Sequence, residues 1–238
     1  MKALLLAAGL GTRLKPLTND IPKCLVPING KPLLEYWLEL LFSSGIERVI
    51  INTHWLHDRV DKYLCRSIYR DLIDMVYEPE LLGTGGTILK NKHFFGGADF
   101  LVAHADNLTN FDVVDFIAQH YKRPAKCEMT MLAFKTDNPS NCGIVELDSN
   151  MIVQAFHEKV QSPPGNLANA AVYILTSNVM RQLEKLSSNF IDFSLDIIPQ
   201  FVGRTFCIET QRYLRDIGSI ESLVLAEKEF ICQDSSRN

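Results

Sequence analysis

The chain has 238 residues, of which 47% are hydrophobic and 22% charged, and its formal net charge is −4. This composition is typical of a globular protein, and the length allows one sizeable α/β domain or two small ones. The negative charge argues against a general nucleic-acid binder, because such proteins usually carry a basic excess that meets the phosphates.

An apolar stretch opens the chain. Residues 3–8 form a continuous apolar run, which predicts a strand over 2–8 that is buried on both faces of a parallel sheet. The run is shorter than the apolar core of a signal peptide, and Arg13 and Lys15 follow closely. No later stretch is long and apolar enough to span a bilayer. We therefore expect a soluble, cytoplasmic protein with no membrane partner.

Helical and strand patterns alternate through the first half of the chain. Apolar residues recur at helical spacing from Leu33 to Leu41, and Gly45 stands where such a helix would end. This alternation predicts a doubly wound, Rossmann-like sheet, mostly parallel or mixed and flanked by helices. The patterns further on predict strands over 48–52, 74–77 and 100–103, a helix over 56–65, and a loop over 82–87 that enters a helix.

The second half places its predicted strands closer together, which indicates a small added β portion. We expect one domain over 1–238, in which this portion forms the far wall of a cleft. Ligands in such folds bind at the carboxyl ends of the strands, where four polar clusters follow strand-like runs: Gly9–Arg13, Asn52–His54, Ala105–Asn107 and Asp216–Gly218. The second-half predictions are strands over 129–134, 143–147, 152–156 and 171–175, and helices over 178–186 and 219–230.

The six cysteines are scattered, and no two have Cys-x-x-Cys spacing. A chain of this length can build its core without disulfides, so we expect six reduced thiols. The same lack of paired spacing argues against a zinc site. The cysteines are Cys24, Cys65, Cys127, Cys142, Cys207 and Cys232.

A glycine-rich loop, Gly9-Leu-Gly-Thr-Arg13, follows the first strand. Glycine lets backbone N–H groups turn toward a phosphate, because no Cβ intervenes. Leu14 stands where a dinucleotide-binding fingerprint needs its third glycine, and no Walker A pattern occurs. The loop alone is equally consistent with a plain turn that carries a solvated Arg13 and Lys23.

The loop together with Pro22-Lys23 resembles the opening loop of the sugar-1-phosphate nucleotidylyltransferases. These enzymes join a nucleoside triphosphate to a sugar 1-phosphate, giving a nucleoside diphosphate sugar and pyrophosphate. The resemblance covers nearly the whole chain and implies an enzyme of nucleotide-sugar biosynthesis, with a nucleotide-binding half at about 1–125 and a sugar-phosphate-binding half at about 126–238. Further family landmarks follow in order: Leu82–Gly86, Ala105–Asn107, Phe156–Lys159, Asn169–Tyr173 and Arg215–Gly218.

The resemblance implies that Arg13, Lys23 and Asp106 are the catalytic residues, with Arg13 and Lys23 gripping the triphosphate. Two anions must meet in this reaction, so positioning and charge neutralisation dominate the catalysis. Arginine can bind phosphate through two bonds, whereas lysine acts as a point charge. The implied nucleotide-binding residues are Ala7, Ala8, Gly9, Gly11, Thr12, Arg13, Lys23, Glu80, Gly83, Thr84 and Asp106.

The resemblance also implies that Asp106 and Asp216 bind Mg²⁺, which prefers a few carboxylates together with substrate phosphates. Considered alone, each aspartate is as consistent with a structural role in a turn or a helix cap as with metal binding. The chain has Ala105 and Ala171 where the family usually has glycine, and Val160 where it usually has proline. We expect Ala171 to narrow the sugar pocket. The implied sugar-phosphate-binding residues are Asn107, Gly143, Glu158, Lys159 and Asn169.

The substrate is left open between two subgroups. The runs Phe156–Val160 and Phe193–Pro199 look most like guanylyltransferases for mannose 1-phosphate or manno-heptose 1-phosphate, which favours GTP and a role in cell-envelope polysaccharide. Ala7-Ala8 and Asn52–Leu56 look more like uridylyltransferases for N-acetylmuramate 1-phosphate, so UTP with an amino-sugar or glucose 1-phosphate is the alternative. A non-catalytic nucleotide-sugar-binding regulator is the rival from another class. The sequence does not settle whether the chain forms a homo-oligomer.

Overall fold

A computed structural model describes the backbone of residues 1–234 and the side chains of residues 1–230. The strands are β1 (Lys2–Leu6), β2 (Pro27–Ile28), β3 (Lys31–Pro32), β4 (Arg48–Thr53), β5 (Ile73–Tyr77), β6 (Phe100–His104), β7 (Asn107–Thr109), β8 (Met129–Lys135), β9 (Gly143–Leu147), β10 (Val153–Glu158), β11 (Leu167–Leu175), β12 (Thr205–Glu209) and β13 (Leu214–Asp216). The helices are α1 (Leu33–Ser43), α2 (His57–Leu64), α3 (Gly83–Lys90), α4 (Lys92–Phe95), α5 (Val113–Tyr121), α6 (Ser177–Leu183) and α7 (Ile220–Asp234).

The chain groups into two compact units, each made of several segments. The first unit comprises Met1–Leu4, Leu81–Ala103 and Asp112–Gln211. The second comprises Leu5–Glu80, His104–Phe111 and the described residues from Arg212 onward. The expectation of one domain with halves that meet near residue 125 stays a prediction.

Strand β11 organises the first unit. It pairs antiparallel with β6, β8 and β9, while β10 pairs antiparallel with β9 and β12 runs parallel to β8. The register of β11 against β8 shifts between Asn169 and Tyr173, and Ala171 within that shift has a φ of +54°. A shift of this kind bends a strand locally and turns its side chains, so β11 is bulged where the predicted sugar contacts lie.

Helix α1 anchors the second unit. Leu34, Trp37, Leu38 and Leu41 on one face of α1 are buried, as their spacing predicted. The Trp37 indole donates to the Asn107 carbonyl at 2.8 Å, which fixes β7 against this helix. The helix ends where Ile46 N–H bonds to Leu41 O at 3.1 Å, with Gly45 at φ +83°, so Gly45 is the helix terminator that the sequence indicated.

Three short strand pairs complete the second unit, and they carry functional segments to neighbouring positions. Strands β4 and β5 run parallel, β2 and β3 form an antiparallel pair, and β7 pairs antiparallel with β13. Asp216, the last residue of β13, lies opposite Asn107, the first residue of β7. This pairing brings together two sequence landmarks that are far apart along the chain.

The predicted α/β fold class is confirmed, with differences at element boundaries. Strand β1 ends at Leu6 rather than at Ala8, and β11 begins at Leu167. The stretch 82–87 was expected to be a loop, which is wrong because α3 already begins at Gly83. Its glycines form the first helical turn, where the close approach of Ile191 leaves no room for side chains.

Five of the six cysteines have described side chains, and all five are free thiols. Cys24, Cys65, Cys127, Cys142 and Cys207 are free thiols, and burial raises the pKa of the Cys24 and Cys207 thiols to about 12. Cys232 lies outside the described side chains.

Among the described residues, the helices are all too short or too polar to cross a membrane.

Candidate active site

The loop after β1 is held in place from two directions. The Ala7 N–H donates to Asn52 Oδ1 at 2.8 Å. Asn52 is a buried residue near the end of β4. Gly11 has a φ of +62°, and its carbonyl accepts from Leu14 N–H at 3.0 Å. A side chain at position 11 would be strained and would collide with Thr18, so the backbone here requires glycine.

Asn52 belongs to the polar cluster Asn52–His54, for which the sequence indicates no specific contact. Its amide accepts a backbone N–H at the point where β1 stops and the glycine-rich loop begins. A polar residue near the end of a buried strand is the sequence signal for this position, because buried polar groups need hydrogen-bond partners. Asn52 therefore positions the backbone of Ala7, which is one of the predicted nucleotide contacts.

Two carboxylates converge in the second unit. Asp106 follows β6, and Asp216 ends β13 opposite Asn107. The Ile217 N–H donates to the Asp106 carbonyl at 3.0 Å, so the backbones of both segments are joined directly beside the two side chains. Asn107 is itself buried and lends its carbonyl to Trp37.

Lys23 lies between these carboxylates. Its ammonium Nζ is 2.7 Å from Asp106 Oδ2 and 3.3 Å from Asp216 Oδ1, and the lysine is buried. Burial alone would lower the pKa of Lys23, but the charges of Asp106 and Asp216 outweigh it and the pKa is raised. Burial likewise opposes ionisation of Asp106, yet the Lys23 charge holds the pKa of that carboxyl below its usual value. Both groups are therefore charged at neutral pH.

Arg13 completes the charged cluster. Its Nη2 lies 3.6 Å from Asp216 Oδ2, and its side chain is 72% exposed, so it is free to turn toward a ligand. A Cβ at Gly218 would lie 2.5 Å from Asp216 Oδ2 and 2.8 Å from Arg13 Nη2, so a side chain there would force the ends of these two side chains to shift. The structure thus brings Arg13, Lys23, Asp106 and Asp216 together.

The donor set of this cluster fits Mg²⁺. The two carboxylates already share one cation, the Lys23 ammonium. Carboxylate oxygens are the protein ligands that Mg²⁺ prefers. No cluster of three or more potential metal ligands occurs among the described residues. A site with two protein carboxylates is the type that relies on substrate phosphates and water for its remaining ligands.

The other predicted nucleotide contacts divide between the two units. Ala8, Gly9 and Thr12 lie in the segment that follows β1, and Glu80 is exposed between β5 and α3. Gly83 and Thr84 begin α3 in the first unit, where Gly85 N–H donates to Ile191 O at 2.9 Å. The glycines of this turn are explained by the Ile191 segment, so a contact with a nucleobase stays a prediction.

The predicted sugar-side residues cluster in the first unit. Gly143 in β9 pairs with Glu158 in β10, and a Cβ at Gly143 would lie 2.7 Å from the Glu158 carboxylate. Lys159 follows with a φ of +48°, and its Nζ lies 3.2 Å from Glu158 Oε1. A carboxylate and an exposed ammonium are therefore presented side by side at the end of β10.

Asn169 is engaged within its own strand. Its Oδ1 accepts from Ala171 N–H at 3.0 Å, and its Nδ2 donates to the Tyr173 hydroxyl at 2.6 Å. Both bonds hold the bulge of β11 in which Ala171 takes its positive φ. The amide keeps one further N–H and one further lone pair for a ligand.

Comparison with known proteins identifies relatives along almost the entire chain. Residues 2–232 match the family model described as nucleotidyl transferase. The mannose-1-phosphate guanyltransferase beta-B of Xenopus laevis is 33% identical over 224 residues, which are 92% of this chain and 61% of that protein. The chain spans about three-fifths of the length of the curated relatives that it matches first.

Solved structures share the fold. A crystal structure of HddC from Yersinia pseudotuberculosis complexed with GMP-PN has a TM-score of 0.80 and 28% identity, covering 96% of this chain and 99% of that one. A putative glucose-1-phosphate thymidylyltransferase from Bacillus anthracis, in complex with a sucrose, has a TM-score of 0.85 at 20% identity and covers 96% of this chain and 94% of that one. The second likeness bears on the fold alone.

Proposed function

The chain belongs to the nucleotidyl transferase family, and from this premise we propose that it joins a nucleoside triphosphate to a sugar 1-phosphate. An oxygen of the sugar phosphate attacks the α-phosphorus of the nucleotide. The bond from the α-phosphorus to the bridging oxygen breaks, and pyrophosphate leaves with the electron pair. The observation that carries the proposal is the cluster of Arg13, Lys23, Asp106 and Asp216, which presents two cations and two carboxylates to one place.

We propose GTP and a manno-configured hexose or heptose 1-phosphate as the substrates. The guanyltransferase relative from Xenopus laevis and the HddC complex with GMP-PN support a guanine nucleotide. UTP with an amino-sugar or glucose 1-phosphate is the alternative, favoured by the resemblance of Ala7-Ala8 and Asn52–Leu56 to uridylyltransferases. A non-catalytic regulator would be expected to lose part of the charged cluster, and all four members are retained.

Lys23 and Arg13 supply the positive charge that the reaction needs. The α-phosphate gains negative charge as the attacking oxygen approaches, and a fixed cation in a water-poor site stabilises that change strongly. Lys23 is buried and held by two carboxylates, so little reorganisation is required when the charge develops. The Arg13 side chain is 72% exposed, and its guanidinium is suited to bind the β- and γ-phosphates through two parallel hydrogen bonds.

Asp106 and Asp216 would hold Mg²⁺. The bound ion would offset phosphate charge and orient the α-phosphate. The two carboxylates keep their positions because β7 pairs with β13 and because Ile217 N–H bonds to the Asp106 carbonyl. Burial opposes ionisation of Asp106, but the Lys23 charge holds the pKa of that carboxyl below its usual value, so an entering cation does not have to displace a proton from it.

Glu158 and Lys159 are the proposed contacts for the sugar phosphate. Lys159 offers an exposed ammonium to the phosphate, and Glu158 offers a carboxylate to sugar hydroxyls. The Asn169 amide donates one N–H to the Tyr173 hydroxyl and accepts from Ala171 N–H, so its second N–H is the proposed donor to the sugar phosphate. Gly143 keeps space open beside Glu158, because any side chain there would collide with the carboxylate.

Pyrophosphate release tests the proposal directly. The purified protein is incubated with Mg²⁺, each nucleoside triphosphate in turn, and a panel of sugar 1-phosphates. We expect the fastest release with GTP and a manno-configured sugar 1-phosphate. Fast release with UTP and an amino-sugar phosphate would establish the alternative substrate, while nucleotide binding without release for every pair would contradict catalysis.

Asp106→Asn provides the residue-level form of this test. We expect its turnover to fall by about a hundredfold or more, because one carboxylate of the charged cluster is lost while the shape of the side chain is kept. Asp99→Asn is the matched control, since Asp99 is a carboxylate outside the cluster that pairs with His120. Equal activity losses in the two variants would contradict the assigned role of Asp106.

A further inference from the structure

Thr18 lies behind the glycine-rich loop and is fully buried. Its hydroxyl donates to the Gly11 carbonyl at 2.7 Å, the same carbonyl that accepts from Leu14 N–H at 3.0 Å. Its methyl Cγ2 lies 2.8 Å from the point where a Cβ on Gly11 would stand. Thr18 therefore touches Gly11 with both branches of its side chain.

These contacts define the turn from Gly11 to Leu14. A carbonyl that accepts two bonds is fixed in direction, and the planar peptide that contains it is fixed as well. Arg13 lies inside this turn and is an exposed residue, whereas Thr18 is fully buried. The direction in which Arg13 leaves the backbone is consequently set by the bond between Thr18 and Gly11.

Trp55 holds Thr18 from the other side. Its indole N–H donates to the Thr18 carbonyl at 3.0 Å, although the tryptophan is 41% exposed. An exposed tryptophan whose only polar atom reaches into a neighbouring loop is unusual for a residue that merely fills the core. The end of β4 and the segment after it thus supply two contacts: Asn52 bonds to the start of the loop, and Trp55 bonds to Thr18.

We propose that Thr18, braced by Trp55, is a positioning residue for the triphosphate. It acts through Gly11 and the Gly11–Leu14 turn, and it orients Arg13 without touching the nucleotide. This inference rests on the proposed function, because it assigns to Arg13 the role of a phosphate contact. Thr18 is therefore expected to influence the use of nucleotide while leaving the use of sugar phosphate unchanged.

The test is the pair Thr18→Val and Thr18→Ser. Valine keeps the shape of the side chain and removes the hydroxyl. We expect the KM for the nucleoside triphosphate to rise about tenfold, because one buried hydrogen bond is lost. Serine keeps the hydroxyl, and we expect its KM to stay within about threefold of the unmodified protein. The KM for the sugar 1-phosphate should not change in either variant.

Thr205→Val is the matched control. Thr205 is also fully buried and also donates its hydroxyl to a backbone carbonyl, that of Phe201 at 2.9 Å. Its loss should lower the melting temperature as much as Thr18→Val does, with no change in the KM for nucleotide. A nucleotide KM that rises equally in both variants would reduce Thr18 to a stabilising residue and overturn the proposal.

Trp55→Phe and Arg13→Gln complete the experiment. Trp55→Phe removes the indole N–H and part of the ring at a position that is 41% exposed, and we expect a rise in nucleotide KM of about threefold. An unchanged KM in Thr18→Val and Trp55→Phe, alongside a large rise in Arg13→Gln, would refute the positioning role and leave the proposed function intact. An unchanged KM in Arg13→Gln, or no pyrophosphate release from the unmodified protein, would instead refute the proposed function.

Discussion

Gly83 opens α3 at a point where another segment crosses closely. Its φ is +71°, and a Cβ there would collide with the carbonyl oxygen of Ile191. The Ile191 N–H bonds in turn to the Leu82 carbonyl at 2.9 Å, so the two backbones are joined on both sides of this glycine. The position combines an unfavourable backbone conformation for other residues with a lack of space.

Gly83→Ala is expected to destabilise the protein by about 2 kcal/mol or more, since the positive φ and the backbone collision both oppose a methyl group. Urea denaturation followed by circular dichroism measures the effect. Gly165→Ala is the control, because Gly165 has no heavy atom within 4 Å of an added Cβ and no positive φ. Equal losses in the two variants would contradict the packing argument.

At the scale of elements, α5 is attached to the sheet of the first unit through a buried polar cluster. Asp112 accepts from Asp115 N–H at 2.9 Å and caps the start of the helix. In the last turn, His120 is fully buried with Nδ1 2.7 Å from Thr130 Oγ1 of β8 and Nε2 3.0 Å from Asp99 Oδ2. These bonds satisfy both ring nitrogens of a neutral histidine.

The stability of this attachment should depend on pH. Burial lowers the pKa of His120 below 6.5, the hydrogen bond to Asp99 opposes this, and the nearby charge of Arg123 adds to the lowering. The unfolded chain therefore binds the proton first, so the free energy of unfolding falls as the pH drops below about 6.5, by up to about 1.4 kcal/mol per pH unit.

The measurement compares urea denaturation of the unmodified protein and of His120→Gln at about pH 7.5 and about pH 5.5. Other titrating groups are common to both proteins, so the difference isolates His120. We expect the variant to be less stable at the higher pH and to lose less stability on acidification. A larger loss in the variant would mean that the pKa of His120 is raised rather than lowered.

At the scale of the whole molecule, the proposed substrates should stabilise the fold by mass action. Mg²⁺ with GTP at about one hundred times its dissociation constant should add about 2.7 kcal/mol to the free energy of unfolding. Thermal denaturation with GTP and with UTP at equal concentrations measures the preference. Stabilisation by UTP alone would favour the alternative substrate, and no stabilisation by any nucleotide would contradict the proposed site.

The sequence predicted the fold class and much of the charged cluster, and the reasons are specific. The buried face of α1 and the glycine that ends it follow from helical periodicity and helix-capping chemistry. Family resemblance singled out Arg13, Lys23, Asp106 and Asp216, which the structure brings together.

The remaining features depend on contacts between distant segments. That Lys23 bridges both aspartates, that Ile191 occupies the space beside Gly83, and that Thr18 supports Gly11 are facts of tertiary packing. The short strands β7 and β13 carry too few residues for a period-two pattern to indicate them. Their pairing nevertheless decides where Asp216 lies.

The ion pair between Lys23 and Asp216 joins residues 193 positions apart. A ribosome that adds about 5 to 20 residues per second needs about 10 to 40 seconds to deliver the second partner after the first. Asp106 follows Lys23 by 83 positions, so the nascent Lys23 can pair with Asp106 before the strand that carries Asp216 exists. The complete charged cluster can therefore form only after residue 216 has been synthesised, and a probe of this ion pair would report when that point has been passed.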